Sequence, residues 1–144
     1  MIRKYIMDDI PFIVDLENKT LNTTLGSEML INDLDNELST SYVYLENNKV
    51  IGYISIVFDG EIVEILNYCV APEMQNKGIG KELLNYVLDT YYAKNASSVI
   101  LEVRESNNRA IHVYEKLGFK KISIRRNYYS NGENALVLQK LYTK

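Results

Sequence analysis

The chain has 144 residues, 47% hydrophobic and 24% charged, with a formal net charge of −3; that suits one globular domain over residues 1–144 and gives nucleic-acid binding no bulk electrostatic support. One cysteine, Cys69, and one histidine, His112, exclude an internal disulfide and any metal site built from cysteines or several histidines, so no metal is expected. A mildly acidic surface is compatible with an amine or a basic peptide as partner, although solubility alone also explains it.

Ile2 to Ile6 reads as a short strand. Asp8 and Asp9 then stand where a helix cap belongs, with Pro11 in the first turn and Ile10, Ile13, Val14 and Leu16–Glu17 continuing a helix. Met1 to Phe12 mixes Arg3, Lys4, Asp8 and Asp9 among apolar residues and so lacks a signal-peptide layout. Leu25 to Leu38 carries Met29, Leu30, Leu34 and Leu38 at helical spacing, which predicts a second helix, preceded by the polar loop Asn22–Thr23–Thr24. Tyr42–Leu45, the turn Glu46–Lys49 and Val50–Phe58 read as a hairpin, and a third strand runs from Ile62 to Val70. Lys81 to Tyr92 is amphipathic, with Leu83, Leu84, Val87, Leu88 and Tyr91 in one stripe. Ser98–Val103 is a nearly continuous apolar strand. Arg109–Leu117 is a helix stopped by Gly118, and Phe119–Arg126 and Ala135–Leu141 are final strands around a polar loop.

The order β-α-α-β-β-β-α-β-α-β-β puts a helix between the strands ending at Val70 and beginning at Ser98. That demands a parallel crossover inside an otherwise antiparallel sheet. No apolar run approaches the roughly 20 residues of a membrane-spanning helix, so a cytoplasmic protein without membrane contact is expected.

The segment Val70–Ala71–Pro72–Glu73–Met74–Gln75–Asn76–Lys77–Gly78–Ile79–Gly80–Lys81 lies between a strand and a helix. Its glycines let successive N–H groups approach a ligand, and the helix start aims unpaired N–H groups at the same point. That is a pyrophosphate site in outline, with Lys77 and Lys81 adding charge; an ordinary strand-to-helix turn is the alternative. A P-loop would need glycine at Gln75 and Ser or Thr at Glu82, and a dinucleotide fingerprint would need a third glycine or alanine at Leu83. Neither pattern fits.

Gln75-x-x-Gly78-x-Gly80 resembles the coenzyme A pyrophosphate loop of the GNAT superfamily of N-acetyltransferases. A second run, Leu101–Phe119, together with Arg125–Arg126–Asn127–Tyr128–Tyr129, is similar to the ribosomal-protein alanine N-acetyltransferase (RimI-type) family. The resemblance implies an α/β (α+β) fold: a mixed, mostly antiparallel sheet of about seven strands with a splayed parallel pair, flanked by four helices. It implies acetyl-CoA as cosubstrate, coenzyme A as partner, and a protein N-terminal α-amine, that of a ribosomal protein, or another primary amine as acceptor. It also implies that pantetheine lies in the splay and that Tyr68, Cys69, Val70, Gln75, Asn76, Lys77, Gly78, Ile79, Gly80, Lys81 and Asn107 contact the cofactor.

At neutral pH an α-amine is partly protonated and a lysine amine almost wholly so, so a base must take a proton before or during attack on the thioester. Glu102 lies near the end of an otherwise apolar strand, where desolvation would raise its pKa. The resemblance makes it the general base; a solvent-facing strand carboxylate or an ion-pair partner for Arg104 is the other reading. A donor for the oxyanion is also needed, which the resemblance assigns to the Val70 N–H. It assigns Tyr114 as the general acid that protonates the leaving thiolate, against the reading of Tyr114 as a core aromatic beside Ile111 and Leu117. Asn107 reads as a helix cap as well as a cofactor contact. Cys69 reads as a small buried hydrophobe without a base partner, and His112 as a solvated helix residue.

Three positions depart from the family's habit. Asn76 stands where Arg often follows the loop glutamine, Asn134 stands for Asp, and Leu21–Ser27 carries no tryptophan. The acceptor is therefore open between a protein N-terminus and a small-molecule amine, and a non-catalytic acyl-CoA-binding module is the remaining alternative.

Overall fold

A computed structural model describes residues 1–20 and 25–142. The elements are β1 (Ile2–Lys4), α1 (Ile10–Thr20), α2 (Gly26–Asp33), β2 (Ser39–Glu46), β3 (Lys49–Phe58), β4 (Ile62–Val70), α3 (Ile79–Ala93), β5 (Ser98–Arg104), α4 (Asn108–Lys116), β6 (Lys120–Arg125) and β7 (Ala135–Leu141). The predicted element order holds throughout. The strands form one seven-stranded sheet in the order β1-β2-β3-β4-β5-β7-β6. Every neighbouring pair is antiparallel except β4 and β5.

Strand alternation sorts the core into two layers. Ile10, Ile13 and Leu16 of α1 and Leu30 of α2 pack on Val43, Val50, Tyr53 and Cys69. On the other face Leu83, Leu84, Val87, Leu88 and Tyr91 of α3 pack on Ile54, Ile56, Val63, Ile65, Val99, Leu101 and Val103, and α4 adds Ala110, Ile111, Tyr114 and Leu117 at the margin. The apolar stripe of α3 thus faces the sheet as its spacing requires.

Several boundaries differ from the sequence reading. The second helix stops at Asp33 instead of Leu38. Acidic Asp33 and Asp35 oppose the negative end of a helix dipole, and the Asn36 side chain accepts the Leu38 N–H at 2.9 Å, so the chain turns out there. Leu38 is exposed. The loop reading for Asn22–Thr24 lies outside the described residues. Asp9 accepts the Ile6 N–H at 2.8 Å and pairs with Arg3 at 2.7 Å in a short 3-10 turn, and α1 starts after it, at Ile10. The Glu46–Lys49 turn places Asn47 and Asn48 at φ 51° and 64°, the left-handed pair that a two-residue hairpin needs.

Candidate active site

Splaying of β4 from β5 makes the site. Their parallel ladder covers only Ile62↔Ser98, Val63↔Val99 and Glu64↔Ile100, although β4 runs on to Val70 and β5 to Arg104. At the point of parting β4 holds an extra residue: Ser55 faces Asn67 and Ile56 faces Ile65, so Leu66 is a bulge. A bulge bends its own strand, which carries β4 away from β5. The gap opens into a cavity of about 410 Å³, lined by β4 from Glu64 to Tyr68, β5 from Leu101 to Arg104, Asn107 and Tyr114 of α4, Arg125, Tyr128, Tyr129 and Thr20.

Beyond the bulge the backbone of β4 faces the gap. Ala71 N–H donates to Ile51 on β3 at 2.8 Å, and antiparallel alternation then turns the Val70 N–H away from β3, toward the opening. The Val70 carbonyl accepts from the Gln75 side chain at 3.1 Å, which folds the following loop back onto the strand. Cys69 points its side chain the other way, into the α1–α2 layer, where burial pushes its thiol up to about 12. It is the buried small residue that the sequence suggested, and only its backbone can face a ligand.

From Val70 the chain runs through a 3-10 turn, Pro72–Met74, to Asn76 at φ 65° and Gly78 at φ 86°. Gly78 is the N-cap of α3 and makes no side-chain cap bond, so the first-turn N–H groups stay available. The helix starts two residues earlier than its sequence pattern suggested, because left-handed Gly78 can cap it and Gly80 fits inside the first turn. A Cβ on Gly80 would meet the Tyr68 hydroxyl at 2.8 Å. That hydroxyl donates to the Gly80 carbonyl, tying loop to strand. Ile79 buries its side chain, while Gln75, Asn76, Lys77 and Lys81 are exposed. Asn76 accepts from Arg109 of α4, so the guanidinium absent at position 76 reaches the loop from elsewhere. Residues 75–81 form no part of the cavity lining.

Glu102, Tyr114, Tyr68 and Asn107 do line it together. Tyr114 packs edge-on against Phe119 at 5.8 Å, and burial, with Tyr129 nearby, pushes its phenol up to about 12. Asn107 caps α4, accepting from Ala110 N–H at 3.2 Å. Glu102 lies on the sheet face opposite Leu101 and Val103. Its surroundings differ from the apolar strand that the sequence suggested: Arg125 pairs with it at 2.6 Å. The alternative partner, Arg104, pairs instead with Glu133 at 3.4 Å. Register explains the reach. Arg125 and Arg104 both flank Ala135 on β7, and this small residue lets Arg125 cross the strand to Glu102.

A clamp with no signature in the sequence surrounds this pair. Arg125 lies 4.5 Å over the Tyr128 ring and Arg104 3.9 Å over Tyr129. Glu133 accepts from Ser106 N–H at 3.0 Å and from the Ser106 hydroxyl; these bonds, the hydroxyl's first, hold its carboxyl below the usual range. Glu64 joins Glu102 at the cleft wall. The repeated Arg–Tyr composition was visible; the pairing was not. Among the described residues no group of three or more His, Cys, Asp or Glu could hold a metal, and no helix is long and apolar enough to cross a membrane.

A mixed seven-stranded sheet with a short parallel ladder, a glycine-capped helix after the central strand, and a cleft between the parting strands define an acetyltransferase fold of the GNAT type. The model of the acetyltransferase (GNAT) family matches residues 10–119, and the chain belongs to that family. It is an acyltransferase enzyme. It is 32% identical to an N-alpha-acetyltransferase of Saccharolobus solfataricus over 153 residues, 95% of this chain and 90% of the relative. The ribosomal protein bS18-alanine N-acetyltransferase of Escherichia coli K12 is 29% identical over 133 residues, 90% and 89% of the two chains. The crystal structure of the ribosomal-protein-S18-alanine N-acetyltransferase from Escherichia coli superposes with a TM-score of 0.92 at 26% identity, covering 100% of this chain and 94% of that one.

Proposed function

We propose that this enzyme transfers the acetyl group of acetyl-CoA to the α-amine of a protein N-terminus, with a ribosomal protein as the acceptor class. The observation that carries the reading is the parting of β4 and β5 after Glu64 and Ile100. It leaves strand backbone unpaired on both sides of a cleft, which pantetheine can fill as an added strand. The loop N–H groups from Gly78 to Lys81 at the start of α3, with Lys77 and Arg109 nearby, suit the pyrophosphate.

In the proposed reaction the neutral amine attacks the thioester carbon from the face that carries Glu102, Glu64 and Asn67. Glu102 takes the amine proton, directly or through water, and the Val70 N–H faces the carbonyl oxygen as it becomes an oxyanion. The C–S bond breaks as the amide forms, and Tyr114 gives its proton to the thiolate. A phenol held near 12 stays protonated at neutral pH, as a proton donor must. Glu64, beside the Glu102–Arg125 pair, favours an acceptor that arrives as a cation and loses its proton before attack, and the two relatives named above are called an N-alpha-acetyltransferase and a ribosomal protein bS18-alanine N-acetyltransferase.

The test is incubation with acetyl-CoA and a panel of N-terminal peptides, free lysine, polyamines and aminoglycosides, following thiol release. Peptide turnover at the α-amine is expected. Turnover of small amines with none of peptides would overturn the reading in favour of a small-molecule acetyltransferase.

A further inference from the structure

Glu17, near the end of α1, is fully buried, and the reaction proposed above does not use it. Its carboxylate gathers four donors from three parts of the fold. Tyr53 of β3 donates its hydroxyl, Asn67 of β4 its Nδ2 at 3.0 Å, and the backbone N–H groups of Leu25 and Gly26 donate at 2.9 and 3.2 Å. Burial, then the Glu17 contact, pushes the Tyr53 hydroxyl above its ordinary range, so it remains a donor. All four donors are neutral, and no salt bridge to Glu17 exists among the described residues. Burying a carboxylate without a cation is costly, so packing alone would be better served by an apolar side chain.

The donors show what the charge holds together. Leu25 and Gly26 open α2, whose N-cap residue supplies no side-chain cap bond, so Glu17 caps that helix from outside. Asn67 sits beside the Leu66 bulge where β4 leaves β5, and it lines the cleft together with Thr20, the last residue of α1. Glu17 itself does not line the cavity. Its carboxylate therefore joins the α1–α2 arm to the parting strand from behind. We propose that Glu17 is a positioning residue for the acceptor: it fixes the α1–α2 arm against Asn67 so that the amine meets the thioester in register. The proposal rests on the cleft being the acceptor path, whatever amine enters it.

Glu17→Gln tests it, because glutamine keeps the volume but presents an NH₂ group toward donors. The kinetic arm uses whichever amine of the panel the wild type turns over, so failure of the protein N-terminal reading leaves the test intact. Expected are a rise of about tenfold in acceptor KM, kcat within about threefold, and coenzyme A affinity within about twofold by calorimetry. Tyr53→Phe removes a donor only from the core side and should lower Tm while leaving acceptor KM unchanged. Hydrogen exchange supplies a readout independent of turnover: in Glu17→Gln, protection at 25–33 and at 66–70 should fall together. Acceptor KM unchanged while Tm falls would reduce Glu17 to a structural residue and overturn the proposal. Loss of protection at 25–33 alone would overturn it as well, and should Glu17→Gln fail to fold, Glu17→Asp, which keeps the charge and shortens its reach, carries the same kinetic test.

Discussion

The loop beside the cleft and the cleft itself are built from different materials. The stretch from Val70 to Lys81, outside the cavity lining, is mostly backbone: an N–H turned away from β3, two left-handed residues, and a helix start capped by a glycine with no side chain. The cleft wall is mostly side chains: Glu102 on Arg125, Arg125 on Tyr128, Arg104 on Tyr129 and Glu133, with Glu17 bracing α2 from behind. A backbone site suits a donor whose phosphates and pantetheine offer the same groups every time. A side-chain site can be rewritten residue by residue without moving the fold, which suits an acceptor that differs between relatives.

Substitutions can break this contrast, and the largest effect is expected at Glu102. Glu102→Gln should lower kcat by about a thousandfold while coenzyme A affinity, measured by calorimetry, stays unchanged. Equal loss of both would mean that loop and cleft are not separable. Tyr114→Phe should cost about a hundredfold in kcat. Because a general acid must be protonated, and burial holds this phenol near 12, wild-type kcat should show no Tyr114 limb from pH 7 to about 10 and should fall as pH rises toward 12. A limb near 10 would contradict the buried setting.

Gly80→Ala probes the donor loop. Its Cβ would meet the Tyr68 hydroxyl at 2.8 Å, and coenzyme A affinity should weaken by about tenfold, with a smaller loss in the Gly80→Ala/Tyr68→Phe pair. Additive losses would show that the contact is not the cause. Arg125→Gln should raise acceptor KM by about fivefold at constant coenzyme A affinity, since it removes the partner that holds Glu102 in place at 2.6 Å. Asn134→Asp is the mildest. It replaces the amide that donates to Glu105 at 3.2 Å with a like charge, and thermal melting should register a loss of about 1 kcal/mol or less.

The same contrast explains what could be read from the sequence. Gln75-x-x-Gly78-x-Gly80 between a strand and an amphipathic helix is a local pattern, because left-handed φ and close approach demand glycine where they occur. The element order, the parallel crossover and the α3 stripe followed from periodicity for the same local reason. The clamp escaped because its partners lie 23 residues apart in Glu102–Arg125 and 29 apart in Arg104–Glu133. Only the order β5-β7-β6, with Ala135 between the two arginines, brings them together. Glu17 escaped more completely: on a helix whose apolar face was clear, nothing local distinguishes a buried carboxylate from an exposed one. The early stop of α2 escaped because Leu34 and Leu38 keep a helical spacing that Asp33, Asp35 and Asn36 override.

The central claim is acetyl transfer to the α-amine at a chain terminus, and fragmentation mass spectrometry tests it most directly. The wild type is incubated with acetyl-CoA and a peptide that carries both a free N-terminal alanine and an internal lysine. A single acetyl group on the alanine α-nitrogen is expected, absent with Glu102→Gln. An acetyl group on the lysine Nζ, with the α-amine unmodified, would contradict it.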